Sequence, residues 1–254
     1  MKLEIAVVSA AGAGTAAAEG AHRVELCSSL ELGGITPSQG LMEASMEHVD
    51  GRLEIHPLIR CRPGDFRYSA SDVDTMVHEI RHLLAQGAHG VVVGALTPSG
   101  DLDVHTIQRL VEAARAANPG AQLTFHRAID QSNEPLAVLE QLVELGFTRV
   151  LTSGHEATAG AGLKTLAAMA ERSGGAVEIM AGGGLTLEDI PAMHAAGLSA
   201  VHLSAKKTVS TLGDGAISLG AQDGADPTAY TVTDREVVRA AKAMVNALDL
   251  AAAR

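Results

Sequence analysis

Tryptophan is absent from the 254 residues, and aromatics make up only 2% of them. A core must therefore be built from small and branched aliphatic side chains, which a hydrophobic share of 46% supplies amply. Cysteine occurs twice, at Cys27 and Cys61. That is too sparse for a disulfide framework and suits a reducing cytoplasm. No apolar run approaches the ~20 residues that a membrane helix needs. The opening stretch MKLEIAVVSA is short and interrupted by Glu4, so a secretory leader is not expected. Positive charge is scarce as well: 19 Lys and Arg against 30 Asp and Glu leave a formal net charge of −11. Such a balance disfavours non-specific nucleic-acid binding. A soluble cytoplasmic protein is expected, with neither nucleic acid nor membrane as partner.

What is present is one unit, repeated. A short β-branched run is followed by a polar or glycine-containing turn and then an Ala/Leu-rich stretch. Candidate strands are LEIAVV 3–8, HRVELC 22–27, LEIHPLI 53–59, GVVVG 90–94, QLTFH 122–126, RVLTS 149–153, AVEIMA 176–181 and AVHLS 200–204. Helical patterns fall between them. Val73, Met76, Val77, Ile80, Leu83 and Leu84 recur at spacings of three and four behind Ser71, a candidate N-cap. The stretch from Pro135 to Gly146 opens on proline and closes on glycine, and TLEDIPAMHAAGL has Thr186 as its candidate cap. Strict β–α alternation implies parallel strands with right-handed crossovers. Eight such units in a chain of this length predict a single-domain α/β fold over residues 1–254, a closed (β/α)8 TIM barrel. An open doubly wound sheet is the runner-up. The glycines of SAAGAGTAAAEG lack the dinucleotide-binding spacing, which weighs against it.

The run LEIHPLIR, residues 53–60, breaks the apolar rule for a strand covered on both faces. Glu54, His56 and Arg60 fall on alternate positions and so share one face. In a barrel that face is the lumen, and chemistry collects at the C-terminal strand ends. Those ends carry Glu25 and Cys27, then His56 and Arg60, then His126, Arg127 and Asp130. Thr152 and Ser153, the run Gly182-Gly183-Gly184, and finally His202 and Ser204 complete the series. A buried Arg60 is expected to be satisfied by Glu25 on the neighbouring strand. The pair admits two readings, a structural bridge or part of a polar cup at the mouth. Gly182, Gly183 and Gly184 with Ser204 make a candidate anion cradle, strengthened by Lys206 and Lys207. His126, with Asp130 close behind, is a candidate acid or base. His78 and His82 fit an H-E-x-x-H pattern, but on a helix expected outside the barrel and without a third ligand.

At the same strand ends the sequence resembles the CutC family of copper homeostasis proteins. The stretches that carry the resemblance are GAHRVELCSSLELGGITPSQG, HPLIRCRPGDFRYS, TFHRAID, RVLTSG, IMAGGGL and VHLSA, in the family's order from near residue 20 to residue 205. The resemblance implies a (β/α)8 barrel, a cytoplasmic homo-oligomer (dimer or tetramer), and a role in copper homeostasis with copper as the bound ion. Copper(I) prefers soft ligands, so Cys27 in VELC is the metal ligand it nominates, with Met180 as a thioether candidate. Cys61 stands where the family pattern has proline, and Pro63 where it has glycine. The residues matching the motifs best are hard ones: Glu25, Arg60, Asp65, His126, Arg127, Asp130, Thr152, Ser153 and His202.

Two functions therefore stay open. One is copper binding or handling. The other is an enzyme acting on a small polar or phosphorylated molecule, with Glu25, Arg60, His126 and Asp130 as catalytic candidates. In the second reading Arg127, Thr152, Ser153, Gly182–Gly184, His202 and Ser204 bind the ligand. The stretch 206–232, rich in Gly, Ser, Thr and Asp, is too long for an ordinary connection and is expected to be a lid or an intersubunit arm.

Overall fold

The computed structural model describes residues 1–210 and 229–252. Eight parallel strands form one sheet: β1 (Lys2–Val7), β2 (Arg23–Leu26), β3 (Glu54–Pro57), β4 (Gly90–Val93), β5 (Gln122–Phe125), β6 (Arg149–Thr152), β7 (Glu178–Ala181) and β8 (Ala200–Leu203). Their order is β3-β2-β1-β8-β7-β6-β5-β4. The seam between β3 and β4 is bridged at Leu58 and Val92. There the His89 amide donates to the Ile55 carbonyl (3.0 Å) and the Ile59 amide to the Val92 carbonyl (2.8 Å). The sheet thus closes into the expected (β/α)8 barrel.

Helices α1 (Ala10–Ala18), α2 (Gln39–Val49), α3 (Ala70–Ala85), α4 (Val104–Ala117), α5 (Pro135–Glu144), α6 (Leu163–Ser173), α7 (Ile190–Ala195) and α8 (Arg235–Ala252) surround it. None of the described helices is long and apolar enough to cross a membrane. In α3 the expected stripe from Val73 to Leu84 is buried against the strands, each side chain contributing about 1.5–3 kcal/mol. Its N-cap is Ser69 rather than Ser71, because Asp72 completes a reciprocal capping box with Ser69. Thr186 likewise does not cap α7: its amide and hydroxyl both donate to Asp189, the residue before the first turn. Residues 206–210 and 229–233 pair as an antiparallel ribbon of β9 (Lys206–Ser210) and β10 (Ala229–Thr233). The rest of the expected lid or arm lies outside the described residues.

Strand parity sorts the side chains. Leu3, Ile5, Val24, Leu26, Ile55, Val91, Leu123, Phe125, Val150, Ile179 and Val201 belong to the main core, shared with the helices. The alternate positions line the lumen, and its lower half is charged. Arg23, 1% exposed, donates through Nε to Glu4 and through a terminal nitrogen to Glu178 (3.2 Å) and the Met180 sulfur (3.4 Å). Arg149 donates to Glu178, to Thr124 Oγ1 (2.9 Å) and to Gln122 Oε1 (3.0 Å). Gln122 passes the network on to Glu54 (2.9 Å). Glu54 lies 3.6 Å from His56 Nε2. The alternation in LEIHPLIR has its reason here, since Glu54 and His56 continue a ring of ionic groups assembled from most of the strands. Burial holds the His56 imidazole down to about 4, so it is neutral in this ring.

Candidate functional site

Above the ionic ring, at the C-terminal mouth, lies a cavity of about 330 Å³. Its wall includes Glu25, Arg60, Phe66, His126, Arg127, Gly183, Gly184, His202, Ser204 and Lys206. A second hollow of about 350 Å³ shares Gly33, Arg60, Phe66 and Arg127 with it and runs outward past Gln131, His155 and Glu156. The mouth is thus a two-part cleft with two arginines at the junction.

Arg60 does not pair with Glu25. Its guanidinium donates to three backbone carbonyls, Leu32 (3.0 Å), Gly34 (2.8 Å) and Gly64 (2.6 Å). It packs on the Phe66 ring, 5.1 Å from the centroid. Among the described residues no carboxylate neutralises it, and its Nε is buried without an acceptor. The expected salt bridge fails because the loops after β2 and β3 present carbonyls where a carboxylate was expected.

His126 caps the single-turn 3₁₀ helix that follows β5. Its Nδ1 accepts the Ala128 amide proton (3.1 Å), so the ring proton sits on Nε2. That Nε2 is buried and has no partner among the described residues. Burial first, then the charge of Arg60, drives the imidazole down to about 3, leaving a neutral donor. Phe66 stacks beside it at 4.7 Å between ring centroids. Gly94 makes room for it, since a Cβ there would fall 2.3 Å from the imidazole Cε1. Two buried donors side by side without acceptors each cost about 1–3 kcal/mol, and both ask for an acceptor from outside the chain.

Asp130 is no partner of His126. It accepts from Arg127 Nε (2.8 Å), Thr152 Oγ1 (2.5 Å) and the amides of Ser153 (3.0 Å) and His155 (3.2 Å). Arg127 also donates to Ser153 Oγ (3.0 Å), whose own proton goes to the Glu156 carbonyl (2.5 Å). Asp130, Thr152 and Ser153 therefore orient Arg127 and its loop; none of them lines the inner cavity, and Asp130 lines the outer hollow. Gly182 is committed too, its amide extending the strand ladder to Thr152 (3.0 Å). Gly183 (φ +98°) and Gly184 (φ +60°) turn into the cavity wall, where among the described residues their amides donate to nothing.

Glu25 and His202 close the floor. His202 Nδ1 donates to Glu4 (2.7 Å), and its Nε2 stands 3.9 Å from Glu25. Burial lifts the Glu25 carboxyl to about 7, with the nearby Glu4 charge pushing the same way. Burial alone would lower the His202 imidazole, but the Glu4 hydrogen bond and the charge of Glu25 raise it. Among the described residues Glu25 accepts no hydrogen bond. Among the described residues it is the one carboxylate in the inner cavity wall.

The residues of this mouth coincide with a family model. The CutC family model matches residues 1–207, from the first strand to the start of β9. The chain belongs to the CutC family. It is 41% identical over 211 residues to a CutC family protein of Xanthomonas axonopodis pv. citri, covering 83% of this chain and 85% of the relative. It is 40% identical over 232 residues to one of Vibrio vulnificus, covering 89% and 91%. Among solved structures, CutC of Streptococcus agalactiae, named for copper homeostasis, superposes with a TM-score of 0.75 at 28% identity, over 80% of this chain and 98% of that one.

The sulfur donors of this CutC chain lie apart from its cavity. Cys27 is fully buried with Leu58 and Val92, and its thiol faces the Val7 carbonyl at 3.8 Å. Burial pushes that thiol well above its ordinary range. Cys61, half-buried, is pushed up to about 11. Met180 turns its sulfur to Arg23 in the ionic ring. Among the described residues no group of three or more His, Cys, Asp or Glu side chains is arranged to hold a metal ion. His78 and His82 stand exposed on α3, and Glu79 between them accepts from Thr36 (2.7 Å).

Proposed function

We propose that this CutC family chain is an enzyme acting on a small polar anion, such as a phosphorylated or carboxylated metabolite, in the mouth of its barrel. The observation that carries the reading is Arg60, a buried cation that meets carbonyls and no carboxylate and whose Nε has no acceptor among the described residues, near the Nε2–H of His126, which has none there either. A bound anion supplies the acceptor that Arg60 Nε and His126 Nε2 lack and the negative charge that Arg60 lacks. The free amides of Gly183 and Gly184, the Ser204 hydroxyl and the Lys206 ammonium add donors on the opposite wall. Glu25, titrating near neutrality in the same cavity, supplies proton transfer. A volume of about 330 Å³ suits a ligand of metabolite size.

Thermal-shift screening of the full chain against inorganic phosphate and small sugar phosphates tests this. Stabilisation that disappears in Arg60→Met supports the reading. Stabilisation by none of them, or stabilisation independent of Arg60, defeats it.

Family membership favours a second reading, the copper homeostasis for which the Streptococcus agalactiae relative is named. The residues present do not fit a resident Cu(I) ion. A Cu(I) site needs converging thiolates or thioethers. Here Cys27 is a buried protonated thiol, and Met180 is turned to a guanidinium. A copper-linked role for this chain therefore rests on its chemistry at the mouth, not on a thiolate-held metal. Cu(I) titration of the reduced protein separates the two.

A further inference from the structure

The floor of the cavity narrows the reaction class, on the reading that the mouth binds an anion. Among the described residues Glu25 is an unengaged carboxylate whose nearest charged neighbour is the Nε2 of His202 at 3.9 Å. The ring of His202 is fixed from behind by Glu4, which is fixed in turn by Arg23. Among the described residues, the charged and titratable groups around Glu25 are Glu4 on β1, Arg23 on β2, His56 on β3 and His202 on β8, with Arg60, His126, Arg127 and Lys206 in the same cavity wall. Below it, the carboxylates Glu4, Glu54 and Glu178 outnumber the guanidinium groups Arg23 and Arg149 by one. An imidazolium at His202 offsets that excess.

We infer that the mouth catalyses proton transfer at the carbon next to a carbonyl, in a small hydroxy-aldehyde, hydroxy-ketone or keto acid bearing a phosphate or carboxylate. Glu25 takes the C–H proton. The electron pair of that bond becomes the carbon–carbon double bond of an enolate (an enediolate where that carbon carries a hydroxyl), and the carbonyl oxygen gains the negative charge. The neutral Nε2–H of His126 and the Arg60 cation are the donors suited to an oxygen of that charge. The proton returns from Glu25 to the same carbon or its neighbour, so the balance closes without oxidant, reductant or water. His202 is a donor beside the base, and Glu4 is a positioning residue that keeps its Nδ1 protonated and its Nε2 towards the cavity.

The test incubates the full chain at neutral pH in deuterium oxide with dihydroxyacetone phosphate, glycolaldehyde phosphate and hydroxypyruvate. Proton NMR follows the C–H next to the carbonyl, and thermal shift follows binding. The expected result is exchange of at least one compound about 10²–10⁴-fold faster with the parent chain than with Glu25→Gln, which still binds it. Glu4→Gln moves the pH of half-maximal exchange and leaves affinity unchanged, an effect that loss of packing would not produce. Arg60-dependent binding without exchange overturns the inference and leaves the anion reading standing, as does release of inorganic phosphate in place of exchange. Equal rates in parent and Glu25→Gln also overturn it. Absence of Arg60-dependent binding by every compound overturns the anion reading and this inference together.

Discussion

Arg127 lies across the backbone of Gly183. A Cβ built on residue 183 falls 2.6 Å from Arg127 Cζ, at a φ of +98° that L side chains rarely adopt. The glycine run after β7 is therefore shaped by the guanidinium above it as well as by its own turn. Gly183→Ala is expected to lose about 1–3 kcal/mol of stability through backbone strain and overpacking. It should also swing Arg127 out of the cavity wall and weaken phosphate binding. Urea denaturation and calorimetry of phosphate binding check the two effects.

Arg60→Met removes three donors at once. The carbonyls of Leu32, Gly34 and Gly64 then lose their partner inside the fold. The expected cost is about 2–4 kcal/mol, read by denaturant midpoint, together with loss of anion stabilisation. Arg60→Lys retains the charge but cannot span three acceptors, so it should recover some binding and little stability.

Much of the fold was legible because β-branched runs alternate with helical stretches at a regular interval. The lumen was legible only where the signal repeated within one strand. Glu54, His56 and Arg60 announced a polar face. Glu4, Arg149 and Glu178 each stood alone in an apolar run, and Arg23 two places before Glu25 was passed over, so the four went unnoticed as a set, although a charge near the start of strand after strand was the available sign. The Glu25–Arg60 pair was wrong for another reason. Parity tells which face a side chain takes but not which loop folds over it, and the carbonyls of residues 32, 34 and 64 claimed Arg60 first. Asp130 beside His126 misled in the same way, since backbone amides from the next loop capture the carboxylate. Phe66, which packs against both Arg60 and His126, carries no periodic signal of its own.

Cys27 offers a sharp contrast between packing and metal chemistry. A thiol fully buried beside Leu58 and Val92 is a small apolar side chain in practice. In the native chain, a thiol-specific reagent should label Cys61 first and reach Cys27 only on unfolding. Cys27→Ala should leave the Cu(I) stoichiometry of the parent unchanged and cost about 1–2 kcal/mol for the lost volume. A fall in Cu(I) stoichiometry in that variant would restore Cys27 as a ligand.

Glu25 ties the site to stability through pH. Its carboxyl titrates at about 7 in the fold, against an ordinary value of 4.5. Folding therefore favours the protonated form. That contribution is full below about pH 4.5 and is lost as pH rises through about 7. His202, raised as well, acts with the same sign above its ordinary 6.5. Glu25→Gln cannot ionise and keeps what the parent loses. The variant should match the parent in stability at acid pH and exceed it above neutrality by up to about 3 kcal/mol, at 1.36 kcal/mol for each unit of displacement. Urea denaturation of both chains across that range checks it. A parent more stable than Glu25→Gln at alkaline pH would mean that Glu25 is ionised at little cost, and the case for a poised base on the cavity floor would go with it.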